Sequence, residues 1–221
     1  MPGLTRLAVT RLVTGAFAWS SSGKTNDDLV TNLVRDRRLK LPAVEAALRR
    51  VDRKMFVLPA ERGAAYDDRP LGIGYSATIS APHMHAAALE FLAPSIAEKG
   101  SVLDVGCGSG YLLAAFAALG ARAAHGVEYA PDLAKLAESN LRAHDAALLD
   151  GGRVTVTTGD GWNGLPAKAP FDAIYVGAAA TSVPRALVDQ LRPGGRMVVP
   201  VGKQASKATL LRVDKDGAGV V

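Results

Sequence analysis

The chain of 221 residues has one cysteine, Cys107, so no disulfide forms within it, and such cysteine usage suits a reducing compartment. No apolar run approaches the roughly 18–20 residues that a membrane-spanning helix needs. Neither H-x-x-x-H nor C-x-x-C occurs, and His83 and His85 are two apart, which on a helix turns them to different faces. A zinc site is therefore disfavoured. The only G-x-S-x-G-like feature, Gly108-Ser109-Gly110, lies in a glycine loop rather than a nucleophile elbow, which argues against a Ser-His hydrolase. Acids are missing from residues 1–25, which hold Arg6, Arg11 and Lys24. Residues 1–17, with spaced arginines, fit an organellar transit segment or a disordered extension, and Arg11 interrupts any secretory h-region.

What is present reads as one domain over 18–221, with 18–81 a helical appendage and substrate loop and 82–221 the core. The net charge is +5, and Arg35, Arg37, Arg38, Lys40, Arg49, Arg50, Arg53 and Lys54 concentrate cations. They form either a solvated helix face or a patch for acidic partners. Aromatics make up only 5% of the chain, and none is interleaved there to stack on bases, so nucleic acid is disfavoured. Thr25 or Asn26 is expected to cap a helix whose stripe is Leu29, Val30, Leu33 and Val34. Pro42 opens a second helix with Val44, Ala47, Leu48 and Val51 inward, and Pro82 a third with Met84, Ala87, Ala88 and Phe91 or Leu92 packing.

From residue 101 strand and helix patterns alternate. Strands are expected at Ser101–Val105, Arg122–Val127, Arg153–Thr158, Phe171–Val176, Arg196–Val201 and Lys207–Asp214, with a turn at Pro193-Gly194-Gly195. That alternation predicts an α/β, doubly wound, mostly parallel Rossmann-like sheet.

In "LDVGCGSGY", Gly106, Gly108 and Gly110 follow a strand and open a helix. Glycines there let the backbone approach a ligand and aim helix N–H groups at it. The spacing is G-x-G-x-G, and Tyr111 stands where a dinucleotide fingerprint needs its third glycine. Asp104 suits an α-ammonium and repels a pyrophosphate, so S-adenosyl-L-methionine is favoured over NAD. Glu128, at the next strand end, fits ribose hydroxyls. Asp160 follows the third strand, placed for an adenine amino group, with Gly161 keeping the floor thin.

Just upstream, "SATISAPHMH" offers Thr78 and Ser80 hydroxyls before a proline-initiated helix. These are donors for a carboxylate, and an ionised carboxylate needs alignment rather than a base to attack a methyl sulfonium. The alternative is that Ser80 only caps the helix, and His83 reads as a packing or surface histidine.

The segments "ATISAPHMHA", "LDVGCGSG", "GDG" at 159–161, "FDAIYVGAAA" and "LRPGGRMVVPVG", with "AWSSSGKTNDDLVTNL", "RVDRKMFV" and "AYDDRPLGIGY", resemble the eukaryotic-type protein-L-isoaspartate (D-aspartate) O-methyltransferases over about residues 18–213. The resemblance implies a class I methyltransferase fold and S-adenosyl-L-methionine as cofactor. It implies methylation of the free α-carboxylate of isoaspartyl residues, which starts repair through a succinimide. It makes Ser80 and Thr78 the catalytic pair. It places cofactor contacts at Ala77, Thr78, Ile79, Ser80, His85, Ser109, Glu128, Asp160 and Gly161, beside the loop residues Asp104, Gly106, Gly108 and Gly110. The partners implied are isoaspartyl proteins and peptides, without nucleic acid or membrane, for a cytoplasmic monomer (organellar if residues 1–17 are a transit segment). Relatives of this type are expected to continue past the last matched strand into a tail that closes the site. The ending at Val221 therefore leaves a catalytically impaired binding domain as one alternative, and a methyltransferase with another substrate as a second.

Overall fold

The computed structural model describes residues 7–12, 21–97, 99–203 and 208–216. β1 (Leu7–Arg11) precedes α1 (Asn26–Arg35). Thr25 caps α1 in a capping box: its hydroxyl accepts the Asp28 N–H at 3.1 Å and the Asp28 carboxylate accepts the Thr25 N–H at 3.1 Å. Leu29, Val30 and Leu33 are buried, but Val34 is exposed, because the stripe is narrower than the apolar run. α2 (Pro42–Arg50) starts on its proline and buries Val44, Ala47 and Leu48, with Val51 behind them.

Much of the expected basic face is engaged internally. Arg35 pairs with Asp36, Arg49 with Glu45 and Asp27, and Arg53 is fully buried. Short 3-10 turns at Arg53–Phe56 and Pro59–Ala64 lead to the hairpin of β2 (Leu71–Gly74) and β3 (Ala77–Ile79). α3 (Pro82–Ile96) follows. It buries His85, Ala86, Ala88, Leu89, Leu92, Ala93 and Ile96, leaving Met84, Ala87 and Phe91 only partly covered.

The core then runs β4 (Ser101–Val105), α4 (Tyr111–Ala118), β5 (Ala123–Glu128), α5 (Pro131–Asp145), α6 (Ala147–Asp150), β6 (Val154–Thr158), β7 (Phe171–Val176), α7 (Arg185–Gln190), β8 (Leu191–Val201) and β9 (Thr209–Lys215). The described sheet is seven-stranded, ordered β1-β9-β8-β7-β4-β5-β6. β4 to β8 pair in parallel, whereas β9 is antiparallel to β8 and β1 to β9. Alternate residues of β4 face opposite sides. Val102 belongs to the core cluster that holds residues of α1 to α5, and Leu103 and Val105 to the one that holds Leu187 and Val188 of α7. The doubly wound expectation therefore holds.

Two local expectations do not. Residues 7–11 of the leader are an edge strand rather than disordered chain: Leu7 to Arg11 pair with Lys215 to Leu211, and the following Leu12 is buried. Backbone pairing supplies what the exposed side chains of β1 do not. The Pro193-Gly194-Gly195 turn lies inside β8, as an irregularity between the pairings Phe171↔Leu191 and Ala173↔Arg196, with Gly194 at φ 76°.

Candidate active site

β4 ends at Val105, and the chain turns through Gly106, Gly108 and Gly110 at φ 74°, 53° and 83°. These are left-handed positions that favour glycine. Above the loop lies the hairpin: Ile73 of β2 would be 3.1 Å from a Cβ on Gly108. A cavity of about 40 Å³ between them is lined by Thr78, Ile79, Ser80, His85, Asp104, Gly106, Gly108 and Ser109, together with Cys107, Tyr111, Leu112, Tyr175 and Gly177. A wider cleft of about 430 Å³ joins it at Gly106 and runs past Glu128, Tyr129, Asp160, Gly161 and Trp162. The structure thus gathers most of the sequence-derived residues along the carboxyl edge of β4, β5 and β6, where open α/β sheets bind ligands.

Asp104 is 1% exposed, and its Oδ1 has no hydrogen-bond partner. Burial, reinforced by the nearby charge of Glu128, pushes its carboxyl up to about 8. A buried carboxyl without a donor is costly unless something cationic completes it. The α-ammonium of a methionine moiety would do so, and the glycine loop leaves room for the rest of the group. These residues fit S-adenosylmethionine.

Glu128 is buried, not a solvated strand-end acid. It accepts the Gly108 N–H at 2.9 Å and the Ala130 N–H at 3.2 Å, so it braces the loop while lining the cleft. A carboxylate has lone pairs left for ribose hydroxyls. Asp160 is exposed and caps a short turn by accepting the Trp162 N–H at 3.0 Å. A Cβ on Gly161 would lie 2.6 Å from Val105 Cγ1, so the thin floor is a steric requirement.

Ser80 does not cap α3. The N-cap is Ala81, which makes no side-chain bond. The Ser80 hydroxyl lines the cavity beside the Tyr175 side chain. His83 is turned away: its ring meets Asp68 at 2.8 Å, and its N–H donates to the same carboxylate at 3.0 Å. His85 faces the cavity, and its ring centroid is 5.0 Å from that of Tyr111.

Two residues named from sequence line neither space. Ala77 is spent on pairing with Gly74 in the hairpin. Gly110 caps α4 against α5, where a Cβ would be 3.2 Å from the Ala137 carbonyl and from Leu141. Sequence reasoning missed Tyr175, Tyr129, Trp162 and Gly177. Tyr175 had a signal: it stands on the central strand beside β4, level with Asp104.

Residues 24–221 match the family model described as Protein-L-isoaspartate(D-aspartate) O-methyltransferase (PCMT). The chain is 44% identical to the protein-L-isoaspartate O-methyltransferase of Caenorhabditis elegans over 201 residues, 90% of this chain and 88% of that one. It is also 44% identical to protein-L-isoaspartate O-methyltransferase 1 of Arabidopsis thaliana, over 90% of this chain and 88% of that one. Among solved structures, a Plasmodium falciparum protein-L-isoaspartate O-methyltransferase in complex with S-adenosyl-L-homocysteine superposes with a TM-score of 0.78 at 27% identity, covering 90% of this chain and 96% of that one. With the glycine loop, the bracing Glu128 and the hydroxyl-bearing hairpin in place, the chain belongs to the protein-L-isoaspartate(D-aspartate) O-methyltransferase family.

Proposed function

We propose that the cavity under the β2–β3 hairpin is where this chain carries out its family's reaction, S-adenosylmethionine-dependent methylation of the free α-carboxylate of L-isoaspartyl and D-aspartyl residues. The observation that carries the assignment is the unpartnered, buried Oδ1 of Asp104 in the same cavity as Thr78 and Ser80. Asp104 receives the cofactor ammonium, and Gly106, Gly108 and Ser109 line the methionine half. Glu128 receives the ribose, and Asp160 and Gly161 border the adenine end. When bound, the cofactor supplies an electrophilic methyl on a sulfonium.

The residues then have little proton chemistry to do. An α-carboxylate, with an ordinary pKa near 3.5, is already ionised at neutral pH. Ser80 and Thr78 hold it by donating hydroxyl hydrogens to one oxygen. The other oxygen would be left free to take the methyl that the bound cofactor would supply, with the methyl–sulfur electron pair staying on sulfur, so that a methyl ester and S-adenosylhomocysteine would result. Alignment in a site largely closed to water is what lowers the barrier. No general base is required, which agrees with a cavity whose one histidine is held neutral by its surroundings, burial first.

The domain assigned to residues 18–221 acts in this reading as one unit, supported by a core cluster that runs from Leu12 to Leu210, and β1 joins it at the sheet edge. Among the described residues no helix is long and apolar enough to cross a membrane. A cytoplasmic monomer acting on damaged proteins and peptides is the arrangement we infer, and light scattering checks its mass.

The reading is tested by methyl transfer from radiolabelled S-adenosylmethionine to two peptides that differ only in an aspartyl or isoaspartyl linkage. Label on the isoaspartyl peptide, lost with Ser80→Ala, is the expected outcome. Equal label on both, or none on either while the cofactor binds, overturns it.

A further inference from the structure

Arg53 is the largest fully buried side chain of the described residues, and the methyl-transfer scheme does not use it. It begins the 3-10 turn Arg53–Phe56, after Asp52 caps that turn by accepting the Lys54 N–H. Among the described residues no carboxylate forms an ion pair with it: its guanidinium hydrogen bonds go to the Ala65 carbonyl at 3.1 Å, the Arg69 carbonyl at 3.4 Å and Nδ1 of His85 at 3.4 Å. The guanidinium also lies 5.8 Å from the centroid of the Tyr111 ring. A buried cation satisfied mostly by carbonyls is expensive. It sits directly behind the two aromatic rings, His85 and Tyr111, that line the inner cavity.

The chemistry of that contact is one-sided. Arginine carries only donors, so the Nδ1 atom it meets must present a lone pair. A neutral imidazole with its lone pair on Nδ1 carries its proton on Nε2. Burial, then the charges of Arg53 and His83, hold the ring neutral. Tyr111 stacks beside it, and among the described residues the ring makes no other hydrogen bond. The cavity that His85 lines carries Asp104 for an ammonium, and the amino-acid end of the same ligand also brings a carboxylate, which needs N–H donors.

We infer that Arg53 is a positioning residue for the cofactor: by donating to Nδ1 of His85 it fixes the Nε2–H tautomer and turns that ring into a hydrogen-bond donor for the cofactor carboxylate. This rests on the placement of the methionine half proposed above and not on the identity of the methyl acceptor. Arg53 acts through His85 and touches no reacting atom. The Tyr111 ring, held between the same two groups, sets the plane in which the imidazole stands.

The test measures the tautomer directly. Two-bond proton–nitrogen correlation spectra of the protein labelled with 15N-histidine are expected to show His85 neutral and protonated on Nε2. In Arg53→Met the ring should populate both tautomers, and the Kd for S-adenosylhomocysteine should rise roughly tenfold, the scale of one hydrogen bond to a charged group. The KM for an isoaspartyl peptide at saturating cofactor should change much less. Arg53→Lys, which keeps the charge without the planar fork, should fall between the two and replaces Arg53→Met if that variant fails to fold.

An Nδ1-protonated or charged His85 in the unaltered protein overturns the inference, whatever the variants do. So does a folded variant that loses melting temperature yet keeps the tautomer and the Kd, because that is the signature of a merely structural arginine. Both readouts are independent of the acceptor. Failure of the isoaspartyl reading would appear separately, as absent peptide labelling by the unaltered enzyme.

Discussion

The Glu128 carboxylate accepts the Gly108 N–H at 2.9 Å, so the end of β5 holds the middle of the loop that leaves β4. One acid therefore shapes the cradle and also lines it. Glu128→Gln keeps the size and one acceptor oxygen but loses the charge. It should weaken S-adenosylhomocysteine binding by roughly 10-fold, through the lost charge-assisted bonds. Glu128→Ala should in addition lower the melting temperature, since the Gly108 and Ala130 N–H groups lose their acceptor. Calorimetric titration beside a melting curve separates the two effects.

Asp104 makes cofactor affinity depend on pH. Its carboxyl is pushed up to about 8, so at neutral pH the free protein holds it mostly protonated, and pairing with an ammonium must release that proton. Affinity should fall as pH drops below about 8. Calorimetry in buffers of different ionisation enthalpy should show proton release near pH 7. The effect on the fold follows from the same shift. The folded-state pKa lies above the unfolded value, so the stability linked to the neutral form is complete below about pH 4 and is lost as pH rises through about 8. Asp104→Asn should melt higher than the parent at pH 9 without cofactor, and bind cofactor poorly at every pH. An affinity flat from pH 6 to 9 would refute this account.

Gly177 follows β7, and a Cβ there would stand 2.9 Å from the Gly106 carbonyl and 3.3 Å from that of Val105. Both obstacles are backbone, so the cofactor loop itself must yield. Gly177→Ala should cost about 1–3 kcal/mol of stability and weaken cofactor binding in step. The substitution should leave far-ultraviolet circular dichroism unchanged, which distinguishes a local shift from misfolding.

Tyr175 and Asp104 are register partners on β7 and β4, and Tyr175 shares the cavity lining with Ser80. With substrate bound, a phenol in the same cavity can donate to the Ser80 oxygen and leave the serine hydrogen for the substrate carboxylate. Tyr175→Phe should lower kcat several-fold, on the scale of about 1 kcal/mol for one neutral hydrogen bond. In the presence of Ser80→Ala it should have almost no effect. Additive losses in that double-mutant cycle would show that the two hydroxyls act separately.

The sheet centre and the cofactor loop were legible because both are local. Ser101–Val105 is an apolar run met directly by a glycine turn, and Thr25 with Asp28 spells a capping box. Arg53 was not legible. In sequence it is one more cation after Arg49 and Arg50, and the helical stripe that would place it ends at Val51. Its burial arises because the chain leaves α2 into a 3-10 turn and because Ala65, Arg69 and His85 converge on it from later segments. Asp104 and Glu128 were assigned by position, but the unpartnered oxygen of one and the loop contact of the other depend on packing that no spacing encodes. Ser80 shows the opposite case: the helix-cap reading stood locally as the alternative, and the observed cap at Ala81 removes it.

β1 also depends on distant chain, because Leu7 to Arg11 find their partners only at Lys215 to Leu211. Closing a loop of that length carries a large entropic cost before any ladder bond forms. A ribosome must therefore deliver nearly the whole described chain before this edge can be sealed, by which time β4, β5 and the glycine loop have all their neighbours except the outermost. Amide exchange should report the same order in reverse, with β1 the first strand to open and the cofactor cradle among the last.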